Sequence, residues 1–585
     1  MSESNGENNL ENMVDNAEAI GSIGSPSTTS HLTLDVFGTA VQKSLVGSMS
    51  IFKFMQGSHV HYGLGQITEI LMKNSLAEEQ TMRGLTRTLG EIPQITGEQD
   101  THTGDMLTSA VFVQNSNGTQ PSGMGTVPAT GTKIRLINQE IVDGIFEPFR
   151  DDISYIGKIM GTDVLLPNWF KHFGDGPGGL GDTRHIGIFG KTGSGKSYLA
   201  KMILASYMRH KPMTLLVLDP QGQFTQMQND ESVMNHIQNV LNRQVEFYSL
   251  ANMTFPTGQG RDWRAHQRAF NLFGEFLKAA RFFEGLNIVS EDNQNRALDV
   301  ISNIMGQQPR IYLNQVNLQE NFRRILNDMN TDDNLARIYT GRDGQARVRA
   351  RIENGDFGEF FETWERVANL FGRTGNVRSV TDLLNGIGDT DPGRIIIIDL
   401  SETNIPNNIF WNDDIKKRAI NEILSNLIEI AQTRYNEQGL LNALVVLDEA
   451  HRYAPRERTE DEAVKILRNT LKDAVRETRK YGLGWMLINQ SIAGLDRELI
   501  NQMGMYFFGY GLAYGVERAA LMELIGGHES AAKLYAQFKD PASTLPPRDY
   551  SFMSVGPSSP MSFSLTPLFF NALDYPDGYT RENQR

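Results

Sequence analysis

The 585-residue chain contains no cysteine. Disulfide bridges and thiolate metal centres are thereby excluded, and a reducing cytoplasm suits such a composition. No apolar run approaches the ~18–20 residues needed to span a bilayer, so no membrane association is expected. The N-terminus has no basic flank followed by an apolar stretch, so no secretory signal is visible and a soluble cytoplasmic protein is the expectation. Positive charge is also scarce, with 55 Lys and Arg against 69 Asp and Glu and a net charge of −14. Part of the deficit is local. Residues 1–42 hold Glu3, Glu7, Glu11, Asp15, Glu18 and Asp35 with no Lys or Arg; setting these six aside leaves −8. A protein that wraps nucleic acid with its exterior is ordinarily basic, so any such contact here must be a local basic surface, such as a channel lining.

What is present suggests about three domains at ~150 residues each. Residues 1–30 are rich in Ser, Asn, Glu and Gly and read as a disordered acidic tail. Residues 31–150 read as a small β-barrel: His59–Ile70, Ala110–Val113 and Lys133–Ile137 are strand-like, with turn signals at Asn117-Gly118, Pro121–Gly123 and Gly131. The Gly/Asp-rich stretch Gly174–Asp182 marks a linker. Five short apolar runs follow, at 185–189, 214–219, 394–399, 443–448 and 485–490, and fit parallel strands buried on both faces. An α/β core is expected in two parts, 151–229 and 386–545, followed by a C-terminal extension at 546–585. Residues 230–385 lack a clear strand. They carry Phe270, Phe273, Phe276, Leu277, Ala280 and Phe283 at helical spacing and read as a helical insertion.

The most specific pattern is Gly190-Lys191-Thr192-Gly193-Ser194-Gly195-Lys196-Ser197, a phosphate-cradling loop after an apolar strand. Its glycines allow a tight turn that points backbone N–H groups into one concavity, and the next helix aims its positive end there. Lys196 places an ammonium on the terminal phosphates of ATP, the Ser197 hydroxyl is a ligand for Mg²⁺, and Tyr198 follows beside the nucleotide. Leu444–Leu447 ends in Asp448-Glu449. Asp448 is expected to hold Mg²⁺ and Glu449 to polarise the attacking water as general base. Gln490, at the end of another apolar strand, is expected to sense the γ-phosphate. Asp219 also ends a strand and is a candidate for orienting the lytic water or the metal shell. Arg184 and Arg479 are candidates for charge compensation at the transition state, a role that an arginine of a neighbouring subunit can also fill.

Six pieces together resemble the HerA family of hexameric DNA translocases, a branch of the HerA/FtsK group. They are Arg184–Ser197, Leu218–Gly222, Ile398–Ser401, Leu447–Arg452, Arg479–Gly482 and Asn489-Gln490. The resemblance covers about residues 180–520 and strengthens Arg184 and Arg479 as phosphate-directed arginines. It implies a RecA-like α/β core, a homo-hexameric ring, and ATP-driven movement along double-stranded DNA in a central pore. Only that pore would need to be basic, and its phosphate contacts would be independent of sequence. The arginines Arg342, Arg347, Arg349 and Arg351 of the insertion could face DNA or a partner, with solvated helix surface the simpler reading. The family also implies a partner docked on the barrel: a NurA-type nuclease in DNA end processing, or a sirtuin-type NAD hydrolase or another nuclease in antiphage defence. The competing expectation is a ring scaffold that regulates such an effector without moving DNA.

Overall fold

The computed structural model of the chain describes residues 4–584 apart from 93–94, 116–117, 177, 259–262, 374, 389, 404, 547 and 564. Residues 1–3 of the acidic stretch, Asn117 of the turn signals and Pro177 of the Gly/Asp-rich stretch lie outside the described residues.

Seven N-terminal strands form one antiparallel sheet: β1 (Ala19–Ile23), β2 (His31–Val36), β3 (Met49–Gln56), β4 (His59–Lys73), β5 (Thr101–Asn115), β6 (Gly118–Ser122) and β7 (Lys133–Leu136). Six of them close into a barrel in the order β2-β1-β7-β3-β4-β5, with β5 returning to β2 through pairs such as Leu34↔Gly104. β6 is a hairpin on β5. The two-residue period of a strand decides what each face does. On β3, Phe52 and Phe54 fill the barrel with Leu32, Leu34, Met106 and Ile134, while Met49 and Ile51 face the core of the larger domain.

The acidic start is not disordered. Ser4–Asn16 is a helix. Leu10 and Val14, one turn apart, are buried in the same cluster as Ile141, Val142 and Ile145 of the helix Gln139–Phe146. Lys53 of β3 donates to Glu11 Oε1 at 3.0 Å and Asp15 Oδ2 at 2.7 Å. Two apolar residues at i and i+4 are enough for docking once the barrel supplies a cation for the acids.

The larger domain contains β8 (Ser154–Ile159), β9 (Leu165–Asn168), β10 (Ile186–Phe189), β11 (Thr214–Asp219), β12 (Val245–Ser249), β13 (Met253–Thr254), β14 (Arg378–Ser379), β15 (Ile395–Asp399), β16 (Ala443–Leu447), β17 (Leu483–Asn489), β18 (Met505–Phe508), β19 (Ser551–Val555) and β20 (Leu568–Ala572). All but the small β13–β14 pair lie in one sheet, ordered β12-β15-β11-β16-β17-β10-β18-β19-β20-β8-β9. The first seven strands run parallel, with pairs such as Ile186↔Met486 and Val446↔Met486. Every residue of β10, β11, β15, β16, β17 and β18 is buried, as strands covered by helices on both faces require. This is a RecA-like α/β core.

Two sequence boundaries change. Residues 546–585 are no appended extension, because β19 and β20 continue the core sheet antiparallel and lead to β8 and β9. The insertion does contain a strand near its start: β12 is the parallel edge strand beside β15. The longer helices of the insertion begin at Trp263. They pack around Trp364, whose ring lies 5.1 Å from those of Phe273 and Phe322, against the long helix Asp413–Asn436. Arg349 pairs with Asp332 and Arg351 with Glu359, so half of the insertion's arginine cluster is bound within the bundle, while Arg342 and Arg347 are exposed.

Candidate active site

In an open parallel sheet, a ligand sits beyond the carboxyl ends of the strands. Here β10, β16 and β17 bring Gly190–Ser197, Asp448-Glu449 and Asn489-Gln490 to that one edge. β17 lies between the other two, so Gln490 stands between the loop and the acidic pair. Thr192 Oγ1 donates to Gln490 Oε1 at 3.0 Å, and Gln490 Nε2 donates to Glu449 Oε1 at 2.6 Å. One amide thus connects the phosphate loop to the candidate base.

The loop has the backbone its glycines were expected to allow. Gly193 and Gly195 adopt φ of +83° and +87°, in the left-handed region. A Cβ on Gly195 would also stand 2.6 Å from the ring of Tyr550. The helix Lys196–Met208 starts at once, with Gly195 as its N-cap. Lys196 is buried and its Nζ donates to Lys191 O at 3.2 Å. Burial holds its pKa below the ordinary lysine value, and the charges of Glu449 and Asp448 oppose that shift. The Ser194 Oγ is buried with no hydrogen-bond partner among the described residues.

Asp448 is 1% exposed. Its Oδ1 accepts the Glu449 backbone N–H at 2.8 Å, whereas its Oδ2 has no partner among the described residues. Burial, then the neighbouring Glu449 charge, pushes its carboxyl up to about 7. An orphaned carboxylate oxygen at the mouth of a phosphate loop suits a cation. Mg²⁺ needs only one or two protein ligands when phosphates and water complete its shell. Among the described residues no group of three or more His, Asp or Glu is arranged to hold a metal ion.

Asp219 and Tyr198 are both engaged by neighbouring parts of the chain. Asp219 is fully buried, and its carboxylate accepts from the N–H groups of Gln223, Phe224 and Thr225 and the Thr225 hydroxyl, at 2.7–3.0 Å. Four local donors occupy it, so it locks the turn after β11 and does not orient water. That turn carries Gln223, a residue that no motif singles out. Its Oε1 accepts from the Ser197 hydroxyl at 2.5 Å, so it holds the expected metal ligand in place. The Tyr198 hydroxyl bonds Asp574 Oδ1 at 2.5 Å and takes the Tyr575 N–H, tying the helix start to the C-terminal segment.

The arginines stand elsewhere. Arg184 precedes β10, and Arg479 precedes β17, so both lie at the amino edge of the sheet. Arg479 grips Asp182 with Nε at 3.0 Å and Nη2 at 2.5 Å while remaining 62% exposed. The guanidinium holds the Asp182 carboxyl below the usual range, and Arg184 adds to the same field. Next to them His185 is locked neutral: its Nε2 faces Val475 O at 2.9 Å, its Nδ1 accepts the Trp485 N–H at 3.2 Å, and burial lowers its pKa to about 4. β17 is seven residues long. At ~3.3 Å per residue it separates Arg479 from its own phosphate loop by roughly 20 Å.

A family model described as "Helicase HerA, central domain" matches residues 182–428. Residues 182–428 are thus similar to the central domain of HerA helicases. The HerA match starts at Asp182, beside Arg184, and takes in the phosphate loop, β11 and β15. A DNA double-strand break repair helicase HerA from Sulfurisphaera tokodaii is 22% identical over 387 residues, which is 64% of this chain and 62% of that protein. The chain therefore spans less than two thirds of its HerA relative. Among solved structures, VirB4 of Thermoanaerobacter pseudethanolicus aligns with a TM-score of 0.37 and 14% identity, over 72% of this chain and 97% of that one. The genome packaging NTPase B204 from Sulfolobus turreted icosahedral virus 2, in complex with ATP-gammaS, aligns with a TM-score of 0.28 and 10% identity, over 67% and 98%.

Proposed function

We propose that this HerA-type chain binds Mg²⁺-ATP and hydrolyses it in a ring, using the energy to move along double-stranded DNA. The observation that carries the hydrolytic part is the Thr192–Gln490–Glu449 connection, which couples a base to the occupancy of the phosphate loop. Lys196 and the loop N–H groups would hold the phosphates, and Ser197 and Asp448 would hold Mg²⁺. Bound Mg²⁺ would neutralise charge on the phosphates. Glu449 would accept a proton from the attacking water.

Each subunit carries only half of a complete site. Its phosphate loop is at one edge of the sheet and its two arginines are at the other. An arginine that acts on the transition state must then come from the next subunit, and a closed ring satisfies every site in turn. We read the ring as a homo-hexamer and duplex DNA in its pore as the polymer moved, by likeness to the HerA helicase. The barrel would dock a nuclease or another effector.

The test is steady-state ATP hydrolysis by the full chain with and without duplex DNA. Stimulation by DNA of any sequence, weakened by salt, is expected. A rate indifferent to duplex would sink the translocase reading and leave a scaffold that hydrolyses ATP to regulate its effector.

A further inference from the structure

The conformation of Glu449 needs an explanation that the phosphate loop does not provide. Its φ of +52° and ψ of 43° lie in the left-handed region, uncommon for a residue with a side chain. Such a residue persists only where its surroundings over-determine it. Its carboxylate is indeed held at both oxygens. Gln490 Nε2 donates to Oε1 at 2.6 Å, and His451 Nδ1 stands 3.3 Å from Oε2.

His451 is itself fixed. Its backbone N–H donates to Asn489 Oδ1 at 3.3 Å, and its Nδ1 also bonds that oxygen. Asn489 cannot turn its amide around, because its Nδ2 donates to Ser491 O. Nδ1 therefore faces two acceptors, Asn489 Oδ1 and Glu449 Oε2, and must carry the ring proton. The ring joins the end of β17 to the candidate base, on the side opposite Gln490.

We propose that His451 is a positioning residue for Glu449: its Nδ1–H spans Asn489 and the Glu449 carboxylate and holds the base in its strained conformation. The inference rests on Glu449 being the base. The Gln490 contact includes Thr192 of the phosphate loop and so can respond to nucleotide, whereas the His451 contact includes no atom of the loop. Losing His451 should therefore slow turnover without weakening nucleotide binding.

The experiment compares kcat, KM and the Kd for ATP of full-length His451→Ala, His451→Asn and Glu449→Gln proteins. An Asn side chain can place an N–H near the position of Nδ1. His451→Ala should lose ~10–100-fold in kcat, part of the general-base contribution of ~10²–10⁴-fold, with Kd unchanged within about twofold. His451→Asn should recover most of that loss. If His451→Ala does not fold, His451→Asn against His451→Leu reads the same contrast. A normal kcat in the variant lacking the donor, a parallel loss of ATP affinity, or no rescue by Asn overturns the proposal. Normal turnover by Glu449→Gln overturns the base reading as well, while an inactive Glu449→Gln beside a normal His451→Ala overturns the positioning role alone.

Discussion

Arg479 offers the sharpest test of a site divided between subunits. Its guanidinium is roughly 20 Å of β-strand from its own phosphate loop, so a fold-preserving side-chain movement cannot bring it there. To reach a neighbour it needs only to leave Asp182. That pair is 62% and 44% exposed, and an exposed ion pair is worth about 0–1 kcal/mol, so the exchange is cheap. Arg479→Ala alone should lose ~10³–10⁵ in turnover, the usual worth of an arginine finger. Lys196→Ala alone should be inactive through poor nucleotide binding. Mixed and allowed to exchange subunits, the two proteins regenerate sites in which one chain supplies Lys196 and its neighbour supplies Arg479. With random mixing at equal amounts, about a quarter of all interfaces have that arrangement, so about 25% of the wild-type rate per site should return. The recovered rate should follow the product of the two fractions and fall off on either side of the equal mixture. The assay is ATP hydrolysis across a titration of mixing ratios, with native mass spectrometry to confirm mixed rings. Mixed rings that stay inactive at every ratio would refute the division of the site.

Two further outcomes follow from individual carboxylates. Asp448 has a folded-state pKa of about 7, well above an unfolded aspartate, because burial and Glu449 disfavour its charge. Between about pH 4 and 7 the folded chain therefore holds a proton that the unfolded chain has released, and the stability of the metal-free protein falls as pH rises through that window. Asp448→Asn should remove this dependence and melt higher than wild type at pH 8 without Mg²⁺ or nucleotide, by up to ~4 kcal/mol at ~1.4 kcal/mol per pK unit. A melting temperature below wild type at pH 8 would contradict the cause assigned to the shift. Asp219→Ala should destabilise by ~1–3 kcal/mol, since it strips buried donors of their acceptor, and should raise the Mg²⁺ concentration needed for activity because the turn no longer fixes Gln223 against Ser197. Unchanged melting together with an unchanged Mg²⁺ requirement would show that the turn does not depend on Asp219.

What was legible in the sequence is what depends on adjacent residues. The phosphate loop is eight consecutive positions, and the acidic pair and Asn489-Gln490 each end an apolar run, so the parallel core and its working edge could be read directly. What depends on a distant partner could not. The runs at 551–555 and 568–572 look like a tail until β20 pairs with β8, more than 400 residues earlier in the chain. The acidic start looks disordered because few apolar residues, among them Leu10, Met13 and Val14, break its polarity, and the receiving surface is built from β3 and the helix Gln139–Phe146. Asp219 shows a different limit. A carboxylate that ends a strand reads the same whether it faces water or caps the next turn, and only the four donors from Gln223 to Thr225 separate the two.

The same distinction bears on how the site works. Local pattern places Lys196, Ser197, Asp448 and Glu449 at one edge, but an Asp with an orphaned oxygen and a Glu in left-handed backbone are costly when left alone. Gln490 and His451 on the Glu449 carboxylate meet the second cost within the chain, whereas the first would be met by a cation that arrives with the nucleotide. Asp448 keeps an unpartnered oxygen at the catalytic edge among the described residues, while the amino edge pairs Arg479 with Asp182, a pairing for which a neighbour's phosphates would compete in the proposed ring. A phosphoryl group in transition presents more negative charge than one exposed carboxylate, so the arginine should favour the neighbour only while chemistry is under way. In the ring proposed above, hydrolysis in one subunit would thereby be tied to the position of the next, which is the coupling such a ring needs if its sites are to fire in sequence along a polymer.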